Sequence, residues 1–171
     1  VDIGMIPSIA LKNVEVLRDG AAAQYGSDAI DGVMNFIMRD DDEGGELQVQ
    51  AGQFYEGEDS YKIAGNIGFA LTDNGFLNLS AEYTDNDKLV RGFQHAAAIG
   101  VPGARNPAMN WGRPESHGLR TVFNAGYELN QDMELYTFGN YADTYGNYGF
   151  FYRAPNRSGV LTPVPVNPQD P

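Results

Sequence analysis

The chain has 171 residues, about the length of one ordinary domain. Hydrophobic residues make up 42%, enough for a core, which excludes disorder as the default reading. A formal net charge of −12 leaves no basic surplus to neutralise phosphates, so a general nucleic-acid binder is excluded too. No cysteine is present, hence no disulfide framework and no thiolate metal site.

The charge is uneven. Between Lys88 and Arg120 lie five basic residues and one acid, Glu115, so that segment is +4 and the remainder −16. Aromatics at 12% and 21 glycines fit a β-rich protein better than a helical bundle. No apolar run approaches the ~18 residues of a transmembrane helix.

In chain order, Val1 to Pro7 lacks the basic start and apolar stretch of a signal peptide. Val14 to Arg18 reads as a strand entering Asp19-Gly20, a tight-turn dipeptide. One helical turn is expected over Ala21 to Tyr25, stopped by Gly26. Ser27 then caps a second, Asp28 to Asp31, ended by Gly32. Val33 to Met38 is apolar on both faces apart from Asn35, which predicts a strand buried on both sides.

This run, from Asn13-Val-Glu-Val-Leu-Arg-Asp-Gly through Tyr25-Gly-Ser-Asp-Ala-Ile to Gly32-Val-Met-Asn-Phe-Ile-Met38, resembles the end of the plug domain of TonB-dependent outer-membrane receptors. The correspondence is nearly residue for residue from Val14 to Ile37. Departures are Val14 for Ile, Ala22 for Ser, and Met34 and Phe36 for Ile, all of which keep small or apolar character.

Asp40 to Glu46 is acidic and Gly-containing, which reads as a solvated linker. It lacks the Asp-x-Asp-x-Asp-Gly spacing of a calcium loop. Period-two alternation follows. Tyr61, Ile63, Ile67, Phe69 and Leu71 share one face, with Lys62, Ala64, Asn66 and Gly68 on the other. Leu77, Leu79, Ala81 and Tyr83 alternate with Asn78, Ser80, Glu82 and Thr84, and Leu119 to Asn130 repeats the pattern. Gly45 to Tyr55 is a weaker first member. Glu134 to Tyr145 is a fifth, in which Tyr136 and Phe138 compete with Leu135 and Tyr141 for the apolar face.

The full strands run to about 10–12 residues, near the ~9–11 of a tilted membrane-crossing strand. Connections alternate between tight turns, Thr72 to Gly75 and Asn130 to Met133, and long segments, Asp87 to Gly118 and Gly146 to Pro171. Tyr55, Tyr61 and Tyr83 fall toward the long-loop end, Phe69 and Tyr127 toward the other, as in two aromatic girdles. A soluble β-sandwich shares the alternation alone. The loop alternation, the girdles and the plug-like run favour a membrane barrel.

No catalytic constellation is found, and no cofactor or metal site. His95 and His117 have no ligand spacing, and Ser27 is not in a Gly-x-Ser-x-Gly elbow. Two loop clusters combine cations with rings: Lys88, Arg91, Arg105, Trp111 and Arg113, then Tyr145, Tyr148, Phe150, Phe151, Tyr152, Arg153 and Arg157. Of these, Arg91, Arg105, Trp111, Arg113, Tyr148, Phe151, Tyr152 and Arg153 are the candidate ligand residues. Such groups hold anionic or ring-bearing ligands by charge-assisted hydrogen bonds and stacking. Contact with lipopolysaccharide phosphates explains them equally.

The resemblance implies a fragment with three parts: the C-terminal part of a small α/β plug (1–39), an acidic linker (40–45), and the first strands and outer loops of an antiparallel barrel (46–171). It implies a Gram-negative outer-membrane location, contact with lipid and lipopolysaccharide, and active import of a scarce solute with energy from TonB. An anionic ferric siderophore is the preferred ligand, because the long +4 segment would face outward. The absent signal peptide then implies a cut chain. Glu15 and Arg18 are candidate plug–barrel contacts, Arg18 toward Glu82 or Glu128 on the lumen face. A charge at Ile67 should be costly and one at Asn66 much less so. The alternative is a non-transporting outer-membrane barrel or an adhesin-like β-protein.

Overall fold

The computed structural model describes residues 3–18, 25, 32–102 and 104–149. The fold is mainly β, with short 3-10 turns at Ile3–Met5, Ser8–Ala10, Thr72–Asn74 and Ala96–Ala98. Of the two helical turns expected at the N-terminal end, Tyr25 is helical and is the one residue described. The helical turns expected over 21–24 and 28–31, with Gly20, Gly26 and Ser27, lie outside the described residues. Gly32 does take a positive φ of 128°. A Cβ there would stand 2.6 Å from the Leu17 carbonyl oxygen, so only glycine fits.

Two sheets form. Strands β1 (Leu11–Leu17) and β2 (Val33–Met38) pair antiparallel, with Glu15 opposite Asn35 and Val16 opposite Met34. The expectation that β2 is enclosed on both faces is not met. Val14, Val16 and Met34 stay exposed on one side of the ribbon, because two strands alone cannot cover both of their own faces.

The second sheet is a meander in the order β3 (Gly45–Gln53), β4 (Asp59–Ala70), β5 (Gly75–Asn86), β6 (Glu115–Asn130), β7 (Met133–Asn147). It is open, with β3 and β7 as its edges, so no barrel closes. Residues 1–85 with 117–145 make one compact unit, and 86–116 with 146–171 another.

One turn differs from expectation, the one before β5. A five-residue hairpin loop joins β3 to β4, with the Phe54 N–H bonded to the Glu58 carbonyl at 2.8 Å. The Asn74-Gly75 pair does not form the hairpin bend itself. Thr72 carries the positive φ, and Gly75 is extended. Gly75 is needed instead for space, since a Cβ there would stand 2.6 Å from the Tyr127 ring. At the other tight turn, Asn130 Oδ1 accepts from the Asp132 N–H at 3.0 Å, an Asx turn.

The five-stranded sheet reverses the usual arrangement of polar and apolar faces. Asn66, Asn78, Ser80, Glu82 and Asn124 are buried, together with Ala64 and Val122. Tyr61, Ile63, Ile67, Phe69, Leu79, Tyr83, Leu119 and Phe123 are exposed on the opposite face, as are Leu47 and Val49, the latter two by about 70% (73% and 69%). Period-two geometry places all the first set on one side and all the second on the other.

The orientation of β7 is settled by its neighbours. A Cβ on Gly139 would meet the outward Phe123 ring, and one on the inward Gly118 would meet Thr144. His117 stacks on Tyr145 at 4.8 Å on the outward side. Leu135 and Tyr141 therefore face outward, and Tyr136 and Phe138 face inward.

Candidate functional site

The buried polar face is covered by the N-terminal part of the same unit. Pro7, Ile9 and Ala10 are buried, and the turn Ser8–Ala10 packs on β4. Inward Gly68 lets the main chain of 41–43 approach. A Cβ on Gly68 would run into the Asp41 carbonyl.

Side-chain amides then take the place of a strand partner. Asn124 donates to the Arg39 carbonyl at 2.9 Å and Asn78 to the Asp41 carbonyl at 3.2 Å. The Gly68 N–H reaches the Gly44 carbonyl at 3.0 Å. Asn66 donates to Asn78 Oδ1 and to Ser80 Oγ, which fixes the row of amides. Acidic side chains over 40–43 stay in solvent as expected, but their main chain is tied to the wall.

Charge is handled by Glu82, which is 7% exposed. Lys62 Nζ lies 2.7 Å from one carboxylate oxygen and Arg120 Nη1 3.4 Å from the other. Both cations also hold the N-terminal segment. Lys62 reaches Ser8 Oγ at 3.2 Å, and Arg120 Nε donates to the Gly4 carbonyl at 2.9 Å. At the strand entrance Arg39 pairs with Glu46 at 2.6 Å, and Lys12 with Asp40 at 2.6 Å. Asp40 holds the Lys12 ammonium above its ordinary pKa, through the hydrogen bond first and the charge second.

Glu15 is exposed and accepts from Asn35 Nδ2 at 3.3 Å, and Arg18 is exposed. The carboxylate of Glu82 is ion-paired with Lys62 and Arg120 of the same sheet, and Glu128 is exposed. The sequence reading missed Lys62, Arg120, Arg39 and the amide row. Except for Arg39, their signal was present as polar residues at even positions of β4, β5 and β6.

In the second unit, the loop folds back as an irregular ladder. Leu89 N–H bonds the Arg113 carbonyl at 3.0 Å, Arg91 N–H the Trp111 carbonyl at 2.6 Å, and Phe93 bridges Met109. Gly92 and Gly112 permit the approach, because a Cβ at either would strike the opposing main chain. Arg91 and Trp111 are thus cross-ladder neighbours, both exposed, with Arg113 half-buried beside them. Arg105 is exposed further along. Tyr148 is exposed, and Gly149 next to it lies against Asn110. Phe151, Tyr152 and Arg153, with Phe150 and Arg157, lie outside the described residues.

Neither histidine is arranged for chemistry. His95 Nδ1 accepts from the Ala97 N–H at 3.1 Å and so caps a turn, and His117 lies in β6 rather than in the loop. No group of three or more metal-ligating side chains occurs among the described residues. No described helix is long and apolar enough to cross a membrane, which says nothing of strands.

Among known proteins, the chain is 26% identical over 155 residues to the vitamin B12 transporter BtuB of Photobacterium profundum. The similarity is to a transporter. It covers 91% of this chain and extends well beyond Val14 to Ile37, into the strands and the loop. The chain spans 23% of the length of that transporter. No family model matches the chain, and no solved structure matches it.

Proposed function

We propose that the chain belongs to a TonB-dependent outer-membrane receptor. In this reading residues 1–39 end its plug, 40–45 link, and 46–171 begin the barrel wall. One observation carries it: the sheet buries asparagine, serine and glutamate under the N-terminal segment and leaves its apolar face bare. In water that arrangement would be unstable, whereas in a bilayer the bare face meets its proper solvent.

Dimensions agree. The outward positions of β4 are free of charge from Tyr61 to Leu71, ten residue steps. At ~3.3 Å per step and a tilt of ~40° they span about 25 Å, the height of an outer-membrane apolar band. Edges β3 and β7 would pair with further strands of the ~22 that such receptors use.

The receptor imports a small solute, and TonB supplies the energy by acting on the plug. Arg91, Arg105, Arg113 and Trp111 form an outer capture surface for an anionic ferric siderophore, in which Tyr148, Phe151, Tyr152 and Arg153 take part. Glu15 and Arg18 contact parts of the receptor that lie beyond this chain. The likeness to a vitamin B12 transporter makes a cobalamin the competing ligand.

Uptake by cells carrying the full-length receptor tests this. Labelled ferric siderophore and labelled cyanocobalamin are supplied with and without a protonophore, and in a strain lacking TonB. Energy-dependent siderophore uptake is expected, and cyanocobalamin uptake alone would reassign the ligand. Uptake of neither, with the receptor confirmed at the surface, would leave the passive barrel or adhesin.

A further inference from the structure

We infer that Asn74 is a site of spontaneous main-chain rearrangement, at which the turn between β4 and β5 passes through a cyclic imide to an isoaspartyl link. The inference stands apart from the receptor reading, since it needs only the turn. Asn74-Gly75 is the one Asn-Gly pair in the sequence. The fold does not use it as a hairpin bend. The positive φ falls on Thr72, at 61°, and Gly75 is extended, at −159°.

The other described asparagines lack exposure, a free amide or an unhindered neighbour. Asn66, Asn78 and Asn124 are buried. Asn130 holds the Asp132 N–H, and Asn106 precedes a proline, which has no N–H to react. Asn140 and Asn147 are followed by tyrosine, whose side chain shields its own amide. Asn74 is exposed, and the bond that closes its turn, from the Leu71 N–H to the Gly75 carbonyl at 2.7 Å, does not involve it. No side chain crowds the Gly75 nitrogen. The fold itself keeps that glycine, because a Cβ there would stand 2.6 Å from the Tyr127 ring.

The chemistry needs water and no cofactor. The Gly75 main-chain nitrogen, its proton lost to a base in solvent, attacks the side-chain carbonyl carbon of Asn74. A C–N bond forms and closes the imide, and the side-chain nitrogen leaves as ammonia with a proton returned from solvent. Water then opens the ring at either carbonyl. One opening gives aspartate. The other gives isoaspartate, in which the main chain runs through the side-chain carbons and is longer by one methylene. Gly75 cannot take up that length toward β6, where the Tyr127 ring and the Gly126 carbonyl stand. Thr72 already holds a conformation disfavoured for a β-branched residue. The lengthened turn therefore loses the bond between Leu71 and Gly75, and the hairpin frays from this end.

The test ages the full-length protein, folded in detergent, in mildly alkaline heavy-oxygen water and maps the label by mass spectrometry. The peptide carrying Asn74 should take up heavy oxygen several-fold faster than those carrying Asn140 or Asn147. It should also become a substrate for an isoaspartyl methyltransferase, and hydrogen exchange at Leu71 should quicken. Asn74→Gln, whose imide ring would be larger and closes slowly, should abolish all three changes. A free peptide spanning residues 71–77 is the reference. Label in that peptide but not in the folded protein would overturn the inference, because the fold would then protect the pair. Label without methyl acceptance would overturn it as well, since the ring would open to aspartate alone. Isoaspartate with exchange at Leu71 unaltered would overturn the loss of the closing bond.

Discussion

Asn124 on β6 donates its side-chain amide to the main-chain carbonyl of Arg39, 2.9 Å away and 85 residues earlier. The bond joins the last residue of the plug-like part to the middle of the wall. With Asn78 on Asp41 and Gly68 on Gly44, it treats residues 39–44 as a strand held by side chains. Those residues show their acids to solvent and still keep their main chain fixed.

Loss of that hold is measurable. Asn124→Leu and Asn78→Leu each leave a carbonyl without its donor, at a cost of about 1–3 kcal/mol. Gly68→Ala should act similarly, by pushing Asp41 off the wall. Hydrogen exchange over 39–44 in the full receptor should quicken in all three. Unchanged exchange would mean that the segment is held from elsewhere.

Glu82→Gln removes the shared partner of Lys62 and Arg120 and leaves two cations facing each other. Breaking a buried pair costs about 3–5 kcal/mol, and less here because both cations are partly solvated. Denaturant unfolding of the full receptor should show destabilisation, and adding Lys62→Met should restore part of it. If the double variant is no better than the single one, the repulsion account fails.

Charge tolerance should follow the faces. In the proposed membrane barrel, Ile67→Arg turns a charge toward lipid near mid-height and should cost roughly 2–4 kcal/mol. Asn66→Arg was expected to be mild, but Asn66 is 6% exposed and bonded to Asn78 and Ser80, so it too should be damaging. Gln48 supplies the inward control, because it is exposed and lies beside Glu46. Equal losses for Ile67→Arg and Gln48→Arg, by reversible unfolding in detergent, would reverse the assigned faces.

The loop cations have a signature in salt. Neutralising Arg91, Arg105 and Arg113 together should weaken uptake of an anionic ligand, most at low ionic strength, where screening is least. Uptake unaltered at every salt concentration would take the loop out of ligand capture and leave lipopolysaccharide as its counterpart.

Lys12 gives a pH dependence with a definite sign. Its folded pKa is raised by Asp40, so its contribution is complete below the ordinary lysine value and is lost as pH rises through the folded value. Nothing from this lysine's titration should change between about pH 5 and 8, well below the ordinary lysine value. A lysine titration followed by NMR should place Lys12 above the ordinary lysine value, and Asp40→Asn should bring it down.

The order of strands, their faces and the outward apolar band were legible in the sequence, because a strand's side chains alternate with a strict period of two. The pairing of charges was not, since long side chains reach several partners that no spacing specifies. Lys62, Glu82 and Arg120 come together only when β4, β5 and β6 lie side by side. The orientation of β7 was likewise open, as both its faces carry rings. Glycines on adjacent strands decided it, by leaving room for Phe123 on one side and Thr144 on the other. The acidic stretch shows the same division: its composition predicted solvated side chains, which it has. Its fixed main chain depends on asparagines that only the folded wall brings within reach.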